Sequence, residues 1–378
     1  MDLTHAASPR PTVSRAPGTA AAAAPPRVAR ISRLRTTPVA AWLLCCCALV
    51  LAMIVLGGVT RLTHSGLSIT EWQPIVGTLP PMSEAAWTET FARYQATPEY
   101  RQVNAGMSLS EFKTIFWWEY FHRLLGRAIG IVFLLPLVFF ALRGWLDRRL
   151  LAPLALIFVL GGLQGGLGWY MVQSGLVDNP RVSQLRLTAH LGLALLIFAA
   201  MLWLALSLLR KPAPRTSATA RLHRAAGAVA ALVLLQALSG GLVAGLRAGF
   251  AYNTFPTMNG EWIPPGLAAL DPWYRNIVSN LTTVQFDHRL LAAALAVAVT
   301  FLCLRMRRLP DVRARGAAVL LFGLLVLQIT LGIATLLLVV PLPLAAAHQA
   351  TAVLLFAAAL NAAHVLRPGR GTSQSPAS

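Results

Sequence analysis

The chain has 378 residues, 56% of them hydrophobic and 12% charged, with a mean hydropathy of +0.63. Soluble domains carry about 25% charged residues, so the composition excludes an ordinary soluble protein and predicts an all-α polytopic membrane protein. The net charge of +19 would point to nucleic acid in a soluble chain; here its placement along the sequence decides its meaning.

Residues 1–37, rich in Ala, Pro, Ser and Arg without apolar periodicity, read as a disordered basic tail. The scarcity of acids there also fits a transit peptide, but the prolines and the long first span favour a plain tail. Eight apolar runs follow at 39–60, 120–142, 151–172, 187–209, 223–246, 286–304, 316–340 and 343–366. Each is near the ~20 residues that cross a bilayer core. The last two meet at Pro341 and Pro343, which predicts a tight hairpin. Residues 367–378 read as a second disordered tail. The four cysteines, Cys45, Cys46, Cys47 and Cys303, lie inside apolar runs without metal-ligand spacing and read as small core residues.

The tail, the 143–149, 210–224 and 305–315 loops and the C-terminus hold 21 of the 32 Lys and Arg. The segments 61–118, 173–186 and 247–285, with the helix starts beside them, hold 10 of the 13 acids. Positive charge stays on the cytoplasmic side, so both termini are expected in the cytoplasm and the long loops outside, in the periplasm of a bacterium.

The second half echoes the first. "EYFHRLLGRAIGIV" answers to "QFDHRLLAAALAVA", "LGGLQGGLGWYMV" to "VLQITLGIATLLL", and "RLTAHLGLALLIF" to "LAAAHQATAVLLF". The expected architecture is therefore eight transmembrane helices arranged as two pseudo-symmetric four-helix bundles, 38–210 and 221–366. An even number of spans per half puts their axis along the membrane normal.

Four histidines, His122, His190, His288 and His348, fall in the first turns of the even-numbered spans, two per half and all at the outer boundary. Ionisable groups in spans are costly and mark function. Two imidazoles on facing helices, with no third ligand at that depth, suit a flat macrocycle with two axial ligands better than zinc. Gly57, Gly58, Gly165, Gly166 and Gly168 in one half and Gly240, Gly241 and Gly245 in the other supply room. Haem, one per half, is the expected ligand. Arg123 and Arg289, directly after His122 and His288, are candidates to meet haem propionates; snorkelling to lipid head groups is the alternative. His223 and His364, among arginines at cytoplasmic ends, read as solvated, and His64 as a loop residue whose role stays open.

The halves differ at one place. Glu119 stands three residues before His122, on the same helix face, and the matching residue before His288 is Gln285. An acid beside one macrocycle only suggests proton chemistry in the first half and electron storage in the second. A helix N-terminus favours an acid in any case, which is the plain alternative.

"GGVTRLTHSGLSITEWQPIVGTLPP", "EYFHRLLGR", "GGLQGGLGWYMVQSGL", "FPTMNGEWIPP" and "DHRLLA" resemble the haem A synthases, the CtaA family in its proteobacterial form, over roughly residues 40–366. The resemblance implies an inner-membrane oxidoreductase that turns the C8 methyl of haem O into a formyl group with oxygen from water, giving haem A for cytochrome c oxidase. It implies that His122 and His190 hold the substrate haem, that His288 and His348 hold a haem b cofactor, and that Glu119 is catalytic. Haem O, membrane lipid, an electron acceptor and a haem O synthase are the implied partners, with no nucleic acid. Some members carry a cysteine pair in the outer loops; this chain has none there. A di-haem electron carrier without substrate chemistry shares the four histidines but needs no Glu119/Gln285 difference, and would tend to set its haems at two depths. A repeat-built transporter would break its helices near mid-membrane, whereas these glycines cluster at the outer ends.

Overall fold

A computed structural model describes residue 2 and residues 27–71, 76–177, 180–213 and 216–369. The described chain is helical: α1 (Arg27–Leu62), α2 (Glu84–Gln95), α3 (Pro98–Gln102), α4 (Leu109–Leu142), α5 (Arg148–Leu176), α6 (Gln184–Leu209), α7 (Ser217–Gly245), α8 (Arg275–Ser279), α9 (Leu281–Arg307), α10 (Val312–Leu337) and α11 (Leu342–Val365). Eight of these, α1, α4–α7 and α9–α11, are long and apolar enough to cross a membrane. They coincide with the eight expected runs.

Two boundaries depart from expectation. α1 begins at Arg27, inside the stretch expected as a tail; residues 27–37 contain good helix formers and no proline, so the helix runs back past the apolar segment. The rest of that tail, apart from residue 2, lies outside the described residues. α4 begins at Leu109 rather than near 120, because Ser108 and Glu111 form a reciprocal cap: each side chain accepts from the other's backbone N–H, Glu111 N to Ser108 Oγ at 3.3 Å and Ser108 N to Glu111 Oε2 at 2.8 Å. At the C-terminus, residues 367–369 pair with the backbone of Ala213; residues 370–378 lie outside the described residues.

In the first half, α1 packs on α4 and α6, and α5 packs on α4 and α6. In the second, α7 packs on α9 and α11, and α10 packs on the same two. Each half is thus a ring of four in which the histidine-bearing helices, α4 with α6 and α9 with α11, lie diagonally opposite. The halves meet through α6–α7, α1–α11 and α6–α11. Lipid gives helices no hydrophobic reason to associate, so close backbone approach must do it. Gly241 and Gly245 of α7 supply it on one side: a Cβ at either would press on Thr188 or Gln184 of α6. On the other, Gly58 of α1 seats Gln349 of α11, whose amide donates to Ile54 O at 2.9 Å. These three glycines, expected to make room for a macrocycle, instead bring the bundles together.

The packed core lies toward the arginine-rich ends. Leu43, Cys46, Met201, Ala205, Val299, Met306, Leu321 and Ala359 are fully buried there. Cys47 and Cys303 join them, while Cys45, expected as a core residue, is exposed on α1. His364 is also a correction. It is buried at 2% exposure, against Trp203 and hydrogen-bonded to Ser207 at 3.1 Å, rather than solvated. His223 is half-buried and bonds Ala363 O at 2.9 Å.

Candidate functional site

At the opposite end of the spans lie the four histidines, all half-buried. One rule places each imidazole: it rests on a glycine of the preceding long helix. His122 of α4 meets Gly57 of α1, His190 of α6 meets Gly168 of α5, His288 of α9 meets Gly240 of α7, and His348 of α11 meets Gly332 of α10. A Cβ at those glycines would stand 2.9, 2.9, 3.4 and 2.8 Å from the ring Cε1. At Gly57, Gly168 and Gly332 a side chain would push the ring away, whereas at Gly240 a Cβ would only touch it. Gly165 and Gly166 face open space instead. His122 lies near His190, and His288 near His348, across the interior of their bundles. Nδ1 of His122, His190 and His348 is buried without a hydrogen-bond partner among the described residues.

This donor set fits haem. Among the described residues, no three His, Cys, Asp or Glu converge as a bare ion would require. Two imidazoles presented from diagonal helices are the pair of ligands that a macrocycle would need.

Glu119 is 3% exposed and fully engaged. Its Oε2 accepts from Ser68 Oγ at 2.7 Å and Ile69 N at 2.8 Å; its Oε1 accepts from Arg123 Nε at 3.0 Å and Nη2 at 2.6 Å. Two further Arg123 hydrogens go to Ile69 O and Glu71 O at 2.8 and 2.9 Å. Arg289 does the equivalent in the second half, donating to Tyr252 O at 2.8 Å and Thr254 O at 2.9 Å, and Gln285 donates to Tyr252 O at 3.2 Å. Both arginines, expected toward propionates, spend these hydrogens on loop carbonyls. The device that fastens the loop is common to the halves; the ion pair of Glu119 with Arg123 belongs to the first half alone. His64, in the left-handed region at φ 55°, accepts from Arg247 Nη2 at 2.9 Å. Burial first, then Arg247 and Arg61, hold its pKa below the ordinary histidine value, which suits an acceptor.

A second buried carboxyl went unnoticed in the sequence. Glu99 of α3 is 4% exposed beneath an aromatic cap in which Trp87, Tyr94, Phe112 and Phe116 pack at the start of α4. Tyr94 Oη donates to it at 3.4 Å. Burial, then repulsion from Glu119, push Glu99 up to about 7 despite Tyr94 and Arg247. The folded chain therefore binds an extra proton between about 4.5 and about 7, and the cap loses stability as pH rises through that window, by roughly 3 kcal/mol in all. Glu99→Gln is expected to remove this dependence. Near-ultraviolet circular dichroism melts at pH 5 and pH 8 check it: the wild type should melt lower at pH 8, the variant equally at both.

Glutamines also escaped notice. Gln164, Gln236 and Gln328 each precede an imidazole-bearing glycine by four residues. The repeated Gln-x-x-x-Gly in α5, α7 and α10 is the signal that would have found them.

The fold and these sites define a polytopic helical membrane protein that presents two histidine pairs from diagonal helices at one end. Residues 40–360 match the family COX15-CtaA, cytochrome oxidase assembly protein, and the chain belongs to it. It is 61% identical over 334 residues to a heme A synthase of Nitrosospira multiformis, covering 87% of this chain and 94% of that one. It is 55% identical over 327 residues to a heme A synthase of Nitrosomonas eutropha, covering 85% and 92%, and 50% identical over 329 residues to one of Parvibaculum lavamentivorans, covering 87% and 94%.

Proposed function

We propose that this protein is a haem A synthase: it oxidises the C8 methyl of haem O to a formyl group. The observation that carries the reading is the buried Glu119–Arg123 pair one turn from His122, in a chain whose other half repeats the histidines but has Gln285 in place of the acid. Converting the methyl to a formyl with oxygen from water releases four electrons and four protons, so the site must stabilise developing charge and pass electrons on.

His122 and His190 hold the substrate haem and fix its position at the histidine end of the first bundle. His288 and His348 hold haem b, which supplies one-electron chemistry when bound. Glu119 is the catalytic residue. Its carboxylate is fixed by four donors, so it would meet positive charge developing beside it without first reorganising. Arg123 and Ser68 hold it in place. The protein lies in a bacterial inner membrane with both termini cytoplasmic and the histidine end toward the periplasm, as the arginine distribution supports. Haem O synthase and an electron acceptor are its partners.

Expressing the chain with a haem O synthase in cells that make no haem A, then extracting and separating their haems, tests the reading. Haem A should appear only with the protein present. Haem O and haem B alone would leave a di-haem carrier.

A further inference from the structure

The two bundles differ along one helix face. On α5, Leu154, Ile157, Gly161, Gly165 and Gly168 follow one another at spacings of three and four residues, so they line a single face. Leu154 and Ile157 are buried core residues at 0% and 4% exposure, and Gly168 carries His190, so this face looks into the first bundle. Yet between them Gly161 and Gly165 meet nothing. Among the described residues, a Cβ at either would find no neighbour beyond its own turn of helix within 4 Å. Gly130 of α4 is bare in the same way. Phe133 of α4 and Phe158 of α5 stack with ring centroids 6.3 Å apart, and Gly130 and Gly161 each lie three residues outward of that pair. The stacked rings thus close the inner side of a space whose outer side is the histidine level. From Phe158 to Gly168 is ten residues, about 15 Å of helix.

The second bundle fills the corresponding positions. Gln164 and Gly168 match Gln328 and Gly332, which sets Ala318, Leu321, Leu325 and Ile329 of α10 against Leu154, Ile157, Gly161 and Gly165. Leu325 is 3% exposed and Ile329 packs on the core. A bundle with one histidine pair therefore keeps two branched side chains on this face, and the other bundle, with the same pair, leaves the face bare.

We propose that this inward space of the first bundle receives the isoprenoid chain of haem O, and that Gly161 and Gly165 are the residues that admit it. The inference rests on the reading that His122 and His190 hold haem O, and it adds where the substrate differs from the cofactor. Haem O carries a long isoprenoid chain at the edge away from its propionates, and haem b has none. Propionates are costly to bury and belong at the polar boundary, which turns the chain inward, toward Phe133 and Phe158. The C8 methyl neighbours a propionate, so it then faces outward, and Glu119 stands one turn outward of His122.

The test is a binding measurement and needs no turnover. Full-length protein from cells that make haem B only is titrated in one detergent with haem O or haem B, followed by the Soret band and by extraction of the haem retained. The wild type should hold haem O about tenfold or more tightly than haem B in the first bundle, because haem B leaves the space empty. Gly161→Leu combined with Gly165→Ile gives α5 the residues of α10. It should weaken haem O about tenfold or more by overpacking and leave haem B binding as it was. Undiminished haem O binding in this variant overturns the proposal, since the chain then lies elsewhere, among lipid. Equal loss of haem O and haem B from the first bundle overturns it too, since the glycines then make room for the macrocycle alone. If the variant does not accumulate, the wild type decides: a preference for haem O supports the proposal, and equal retention of the two haems overturns it. Failure of the underlying reading looks different, because His122→Ala and His190→Ala would then titrate like the wild type with both haems.

Discussion

Glu119→Gln is expected to lower haem A formation by about 10²–10³-fold, the cost of removing one preorganised charge-stabilising group, while both haems stay bound. The substitution is well controlled by the molecule itself. Gln285 occupies the matching position of the second half, is equally buried at 3% exposure, and still fastens its loop through Tyr252 O. Glu119→Gln therefore makes the first half resemble the second in charge while keeping the size of the side chain. Glu119→Ala is harsher, since Arg123, Ser68 and Ile69 N lose their acceptor. Breaking a buried pair from one side costs about 3–5 kcal/mol, so that variant should also loosen the loop. In both variants haem O or its alcohol should accumulate in extracts. Haem A at the wild-type level in Glu119→Gln would reduce Glu119 to a loop fastener.

His288→Ala or His348→Ala is expected to abolish the haem b spectrum of the purified protein and, with it, haem A formation. These rings sit on Gly240 and Gly332, and no third ligand lies in the second bundle among the described residues. If these two histidines are the haem b ligands, losing one leaves no His, Cys, Asp or Glu to replace it. The reduced-minus-oxidised spectrum measures this directly. An unchanged spectrum in both variants would overturn the assignment of the halves, and His122→Ala and His190→Ala would then be the variants to lose it.

The spans and the four histidines were legible because hydropathy and an internal repeat act locally and were written twice. The pairing of Glu119 with Gln285 was legible for the same reason. What escaped was decided by contacts between distant segments. Arg123 reads as a free cation beside a macrocycle until Ile69 and Glu71 come to lie above it. Glu99 reads as one more loop acid until the aromatic cap closes over it. His364 reads as solvated until α6 brings Ser207 and Trp203 against it. Two misses were avoidable, since the Ser108–Glu111 cap and the Gln-x-x-x-Gly repeat are both plain in the chain.

The glycine contacts between the bundles have a consequence of another kind. Gly58 under Gln349, and Gly241 and Gly245 against Thr188 and Gln184, hold α1 on α11 and α7 on α6 in close contact. If each bundle carries a haem, the gap between the two irons is set once, when the chain folds. Electron tunnelling falls off exponentially with distance, so under that reading the seam would act as a spacer between the two haems.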